Sequence, residues 1–536
     1  MTPPSSPPSS PPSSAPEPAV QPRWVLHPTL VAAAFVLEIA LANKIEPAGF
    51  ARSLLIAGAA GAGITLLAWA VLRDRWLGGL AALAVVLASV SLVPVFFAWR
   101  ALNEALGPSA GLALLAALIL AAIGLPAVQR LRARRGAALL RGPATSVLNR
   151  FAAILVIVTI VVHVGPDLPG AAAELLQARD PVTVAPPDAE LPDIYLLMFD
   201  GYPRADVLER RFGIDNGPFV AELRSLGLDV NEQSLSNYTF TPLTMVALFQ
   251  MKHLADVDGL GPLTNSSTAR GTQVNPLRNA FNTAPAWAAL RAAGYQVVIT
   301  MPGYEHVALR DVADRALDHG EMNDLERDIL KRTWLLDLLT PAFPGIFSAP
   351  PRDRVLNGFA DLETLANESR ERPIFAWVHF PVPHLPIVLD AAGEPVVLEP
   401  RRFDGESAAG FGMTDAEFAA AYASELAYLN ARILDAVRTL QQANGRPAVI
   451  IVMSDHGYNS DLADLQARFG NLFAAFTPGA PGLLADHPTP VRVMSALLNR
   501  YLGTNFPIAS DRYFVSPSGD RLLPLTEVED PGRATD

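Results

Sequence analysis

Six residues carry side chains suited to ester chemistry, five of them at turns that follow apolar runs. Asp200 precedes Gly201, His379 and His384 flank Phe-Pro-Val-Pro, and Asp455 and His456 lie in Ser454-Asp455-His456-Gly457. Carboxylate oxygens and imidazole nitrogens together suit a divalent cation, so Asp200, Asp455 and His456 form a candidate ligand set. The sixth residue, Thr241, offers a nucleophile. Pro242 fits the first helical position, which makes Thr241 the N-cap of a helix running to about 252. A hydroxyl there faces the positive helix end, where a phosphate or sulfate group is also favoured. Beside a metal it becomes an accessible alkoxide near neutral pH. Thr239 and Thr244 compete for the role.

The elements that must position these groups read as an α/β domain. Runs at 194–199, 296–300, 374–378 and 448–453 have the continuous apolar character of strands buried on both faces. Helical patterns separate them at about 216–226, 284–293, 355–370 and 415–443. Such alternation predicts a largely parallel central sheet covered by helices on both sides. In sheets of that kind polar chemistry gathers just past the carboxyl ends of the strands. Three of the four predicted strands end on the residues singled out above.

The rest of the chain is a different material. The sequence has 536 residues, 50% hydrophobic and 18% charged, with no cysteine and a net charge of −12. Zero cysteines exclude disulfides, thiolate metal sites and thiol nucleophiles. The acidic balance argues against a nucleic-acid partner. Residues 1–166 carry a net +7 and the remainder −19. Five apolar runs near 26–43, 53–72, 77–98, 109–128 and 148–165 each approach the roughly 20 residues that span a bilayer, predicting a multi-span α-helical membrane region. Arg73 and Arg75 follow the second run, and Arg130, Arg132, Arg134, Arg135, Arg141 and Arg150 precede the fifth. The positive-inside rule then places the N-terminus in the cytoplasm and exports everything after 166. The expected organisation is a Pro/Ser-rich tail (1–22), a five-helix membrane domain (23–166), a linker (167–192) and an exported domain (193–536). Glu38 and His163 lie near span ends, where snorkelling to the interface accounts for them.

Asp200-Gly, a Thr at a helix start, His-x4-His-x-Pro and Ser-Asp-His-Gly, in that order, resemble the alkaline phosphatase/sulfatase superfamily. Apolar spans ahead of such a domain resemble its membrane branch, the lipoteichoic acid synthase and phosphoethanolamine transferase type. The resemblance implies that Asp200, Thr241, Asp455 and His456 hold one divalent metal ion (Mn, Mg, Zn or Ca). It implies that Thr241 takes the transferred group covalently, and that His379 and His384 bind the substrate oxyanion or protonate the leaving oxygen. The expected partners are a lipid bilayer and a lipid-linked or glycan phospho-ester substrate, in a bacterial inner membrane with the catalytic domain outside. No aspartate stands four residues before any of the nine histidines, which removes the pair a second metal would need. The chain also lacks the Cys or Ser of the formylglycine sulfatase setting. The function expected is transfer or hydrolysis of a phospho-ester group. Sulfate-ester hydrolysis by an unconventional nucleophile and a catalytically silent envelope scaffold are the alternatives.

Overall fold

The structure is a computed structural model that describes residues 24–90, 138–165, 190–261, 270–308, 310–333, 335–443, 445–485, 489–517 and 523–532. The tail, nearly all of the linker and the fourth apolar run lie outside these. The chain forms two compact units, one of residues 1–38 and 53–165, the other of 39–52 and 166–536.

The N-terminal half contributes four apolar helices: α1 (His27–Ala42), α2 (Pro47–Leu72), α3 (Arg75–Val90) and α4 (Ala138–Val164). Within α2 and α4, segments of 26 and 21 residues are long and apolar enough to cross a membrane. α1 is apolar but shorter and α3 is described only to Val90, so two helices among the described residues meet the length a bilayer requires. The end of the third run and all of the fourth lie outside those residues. Glu38 and His163, expected to snorkel separately, pair with each other at 3.2 Å.

The second unit contains a seven-stranded sheet in the order β2-β7-β6-β1-β5-β3-β4. Its strands are β1 (Asp193–Asp200), β2 (Asp229–Val230), β3 (Gln296–Thr300), β4 (Arg315–Leu317), β5 (Ile374–Pro383), β6 (Ala448–Ser454) and β7 (Phe473–Phe476). The five strands from β6 to β4 run parallel, and β7 and β2 are antiparallel at one edge. This agrees with the largely parallel α/β sheet expected from the apolar runs. Alternation along β1 divides the core. Ile194, Leu196 and Met198 pack beneath α5 (Thr241–Gln250) and α6 (Pro285–Ala292). Tyr195, Leu197 and Phe199 face the opposite layer, which includes Val355 and Phe359 of α8 (Ala349–Asn367) and Leu429 and Ile433 of α9 (Asp415–Gln441). α7 (Asp324–Lys331) lies between α6 and α8 in sequence. A Thr414/Glu417 capping box starts α9, giving its 27 residues a defined beginning.

Two boundaries differ from expectation. β5 continues to Pro383, so His379 lies inside the strand and His384 follows its end. α5 begins at Thr241, with Phe240 as the N-cap and Pro242 in the second position. Proline is tolerated anywhere in the first turn because those N–H groups have no intrahelical partner, so its presence fixes the helix start only to within a residue.

Candidate metal centre and active site

Adjacent parallel strands deliver the acidic groups. Register pairs Phe199 with Ser454 and Met198 with His379, so Asp200 at the end of β1 and Asp455 just past β6 emerge side by side. Gly201 follows with φ +65°, a left-handed turn that glycine adopts without strain. A Cβ there would lie 3.4 Å from His456 and 3.5 Å from His384. Gly457 has a different reason: a Cβ would strike the carbonyl oxygens of Ala467 at 2.1 Å and Gly470 at 2.4 Å. The Asp-His-Gly turn is therefore pressed against backbone and held there. Ser454 Oγ donates to His456 O (2.6 Å), and Asn471 Nδ2 donates to Ser454 O (2.6 Å).

The donor atoms converge. His456 Nε2 lies 3.4 Å from Asp200 Oδ1 and 3.5 Å from Asp455 Oδ2. His456 Nδ1 is 2.7 Å from Gly457 O, a contact that keeps a proton on Nδ1 and turns Nε2 toward the carboxylates. Asp455 Oδ1 accepts from Gly201 N (3.0 Å) and His456 N (2.9 Å). Asp455 Oδ2 and Asp200 Oδ1 are buried and accept no hydrogen bond. Buried carboxylate oxygens are costly unless paired or bound to a metal, so this donor set fits a divalent cation. Atoms of Asp200, His379 and Asp455 also lie within 4.8 Å of one another, which places His379 among the donors.

Thr241 opens α5 and lines a cavity of ≈700 Å³ together with Asp200, His384 and His456. Its competitors have structural duties. Thr244 Oγ1 donates to Asp455 O (3.0 Å), and Thr239 Oγ1 accepts from the buried Arg468 (3.0 Å). His384 Nδ1 lies 2.8 Å from Leu385 O, leaving Nε2 for proton exchange. The cavity also takes in Tyr304, Asn459 and, from far upstream, Ile39 and Ile45. Tyr304 follows the recognised strand at 296–300, whereas Ile39 and Ile45 lie in no motif and at no strand end.

The sequence model of the sulfatase family matches residues 197–476. The chain belongs to the sulfatase family. No curated protein matches it in sequence. Similar solved structures include the C-terminal periplasmic domain of EcEptC from Escherichia coli, with 13% identity, TM-score 0.40, and coverage of 65% of this chain and 96% of that one. The soluble domain of lipooligosaccharide phosphoethanolamine transferase A from Neisseria meningitidis is 14% identical, with TM-score 0.36 and coverage of 60% and 93%. The integral membrane form of that transferase is 15% identical, with TM-score 0.36 and coverage of 88% and 95%.

Charge in this sulfatase-family site is balanced without solvent. Burial raises the Asp200 pKa, but the imidazoles of His384, His456 and His379 outweigh it and hold the carboxyl well below its usual range. Burial lowers the His456 pKa, yet the charges of Asp455 and Asp200 push it up to about 9. Behind the site, burial pushes Glu425 of α9 up to about 8, against the backbone N–H groups of Val388 and Leu389 that its Oε1 accepts at 2.8 and 3.1 Å. Glu425 thereby grips the loop that follows His384 with a carboxyl that is neutral at pH 7.

Proposed function

We propose that this protein is a membrane-anchored, outward-facing, metal-dependent enzyme that transfers or hydrolyses a phospho-ester group of an envelope lipid or glycan through a covalent intermediate on Thr241. The observation that carries this reading is the pairing, in one buried place, of carboxylate oxygens without hydrogen bonds and a hydroxyl at a helix N-terminus. The two long apolar helices and the arginine distribution support the anchoring and the orientation.

Asp200, Asp455, His456 and Thr241 would hold one divalent cation, which when bound supplies Lewis acidity and lowers the hydroxyl pKa. The Thr241 Oγ proton passes to bulk water, the oxygen attacks phosphorus, and the bond from phosphorus to the leaving oxygen breaks. His384, in its protonated form, gives the Nε2 proton to that oxygen, and His379 steadies the oxyanion. The N-terminus of α5 favours the negative phosphoryl group. A hydroxyl of the acceptor, or water, then attacks the phospho-threonine. His384 Nε2 takes its proton, and Thr241 Oγ leaves.

Intact mass spectrometry after incubation with total envelope lipids tests this. An added mass on the peptide containing Thr241 is expected, absent from Thr241→Ala, which should also be inactive. A fully active Thr241→Ala protein overturns the reading. Membership of the sulfatase family favours sulfate-ester hydrolysis as the second reading. Turnover of 4-nitrophenyl sulfate but not of phosphate esters would establish it.

A further inference from the structure

One wall of the active-site cavity comes from a segment that precedes the catalytic sheet by about 150 residues. Residues 39–52 belong to the same compact unit as residues 166–536. The segment is fastened at several points. Arg278 Nη1 donates to Lys44 O (2.6 Å), and Asn323 Nδ2 donates to Gly49 O (2.9 Å). Arg52 Nε donates to Glu326 Oε1 (2.6 Å), and its Nη2 donates to Glu321 O (2.9 Å). The Glu46 carboxylate is buried 3.9 Å from Arg278 and 4.0 Å from Arg310. So fastened, the segment presents Ile39, Asn43 and Ile45 to the cavity, whose charged residues Asp324, Arg327, Asp328, Asp404 and Glu406 come from elsewhere in the chain. Val307, Leu325, Leu385 and Leu462 extend the same lining.

Branched aliphatic side chains offer a phosphate oxygen or a sugar hydroxyl nothing to bind, but they repay burial of hydrocarbon. The cavity, at ≈700 Å³, is in the range that takes up a ligand far larger than a phosphoryl group. It is continuous from Thr241 and His384 to Ile39 and Ile45. We infer that residues 39–52 form a hydrocarbon subsite of the active site, which receives an alkyl or acyl chain attached to the phospho-ester. This rests on the phospho-ester reading above and names the part of the substrate that the reading leaves open. The subsite is a specificity determinant: it selects the ester by the chain it carries and takes no part in bond making.

The test uses the full-length protein in lipid nanodiscs with added divalent cation, and compares methyl, butyl and octyl 4-nitrophenyl phosphate as substrates. Wild-type kcat/KM should rise at least about tenfold from methyl to octyl, since each buried methylene is worth roughly fourfold at full burial. In Ile45→Asn the octyl-to-methyl ratio should fall toward one. Partitioning into the nanodisc is common to both proteins and cancels in the comparison. Ile45→Ala, which removes methyl groups without adding a polar one, should lower the ratio by a smaller step and serves if the Asn variant does not fold. A flat chain-length series in wild type, or the same ratio in wild type and variants, overturns the subsite while leaving Thr241 chemistry standing. Failure to turn over any diester, with no adduct on Thr241, overturns the phospho-ester reading and the subsite with it.

Discussion

Strand β1 begins and ends with an aspartate, and the two fare differently. At its amino end Asp193 is satisfied: Arg370 Nη2 donates to Oδ2 (2.6 Å), and Ile374 N donates to Oδ1 (2.8 Å). At its carboxyl end Asp200 keeps Oδ1 buried without a hydrogen bond, and Asp455 beside it does the same with Oδ2. Both ends are closed to solvent, so hydration does not explain the difference. A fold free to choose would pair every buried carboxylate, as it does at Asp193. The two oxygens without hydrogen bonds at the other end, facing imidazoles, make the place that fits a divalent cation.

The largest effect that sharpens this contrast is expected from Asp455→Asn. It keeps the Oδ1 acceptor for Gly201 and His456 but removes half of the open pair. Activity should fall at least about 100-fold, as for disruption of a metal site. Metal should no longer raise the unfolding temperature, whereas wild type gains about 2.7 kcal/mol at a metal concentration 100 times Kd. Without metal the variant should be no less stable than wild type, and a large loss there would break the contrast. Asp193→Asn should do the reverse. Half-buried Arg370 loses this charged hydrogen bond but keeps Leu365 O and Glu368, so the cost should be about 2 kcal/mol in denaturant unfolding, with kcat preserved.

Glu425 tests a third arrangement, a buried carboxyl that accepts hydrogen bonds yet stays protonated. Its pKa is raised from 4.5 to about 8, so the folded state binds the proton more tightly than the unfolded state. Its contribution is complete below pH 4.5 and is lost as pH rises through 8. Glu425→Gln should therefore be the more stable protein at high pH, on the order of 4 kcal/mol at pH 8, with the advantage vanishing in acid. Unfolding temperature against pH for both proteins measures it. The smallest effect is expected at Gly201→Ala: about 1 kcal/mol in denaturant unfolding for a side chain at positive φ, since the new Cβ makes only ordinary contacts with His384 and His456.

Much of the site was legible because buried parallel strands announce themselves as unbroken apolar runs. Where such a run stops at Asp200 or Ser454, the next polar residue must face the site. His379 was harder, since Phe380 and Val382 carry β5 past it and the intervening proline looks like a strand end. Thr241 was found, but as an N-cap, because proline marks the first turn and not one position in it. The short antiparallel β2 and β7 leave too few residues for a period to show. Five spans were expected, and two helices of sufficient length were found among the described residues. Ile39 and Ile45 were beyond reach altogether: in the sequence they belong to an apolar run and its turn, and only tertiary contact makes them part of the cavity.

That contact carries a consequence for how the protein is made. Arg52 and Glu326 are 274 residues apart, and chains emerge from the ribosome N-terminus first. At about 5–20 residues per second, residues 39–52 wait roughly 15–55 s for the groups that fasten them. Catalytic strands can assemble among themselves, but the wall closes only after the last of these long-range bonds forms. Completion of the cavity is therefore a late event in the life of a new chain, and the residues that fasten segment 39–52 set when its wall is first in place.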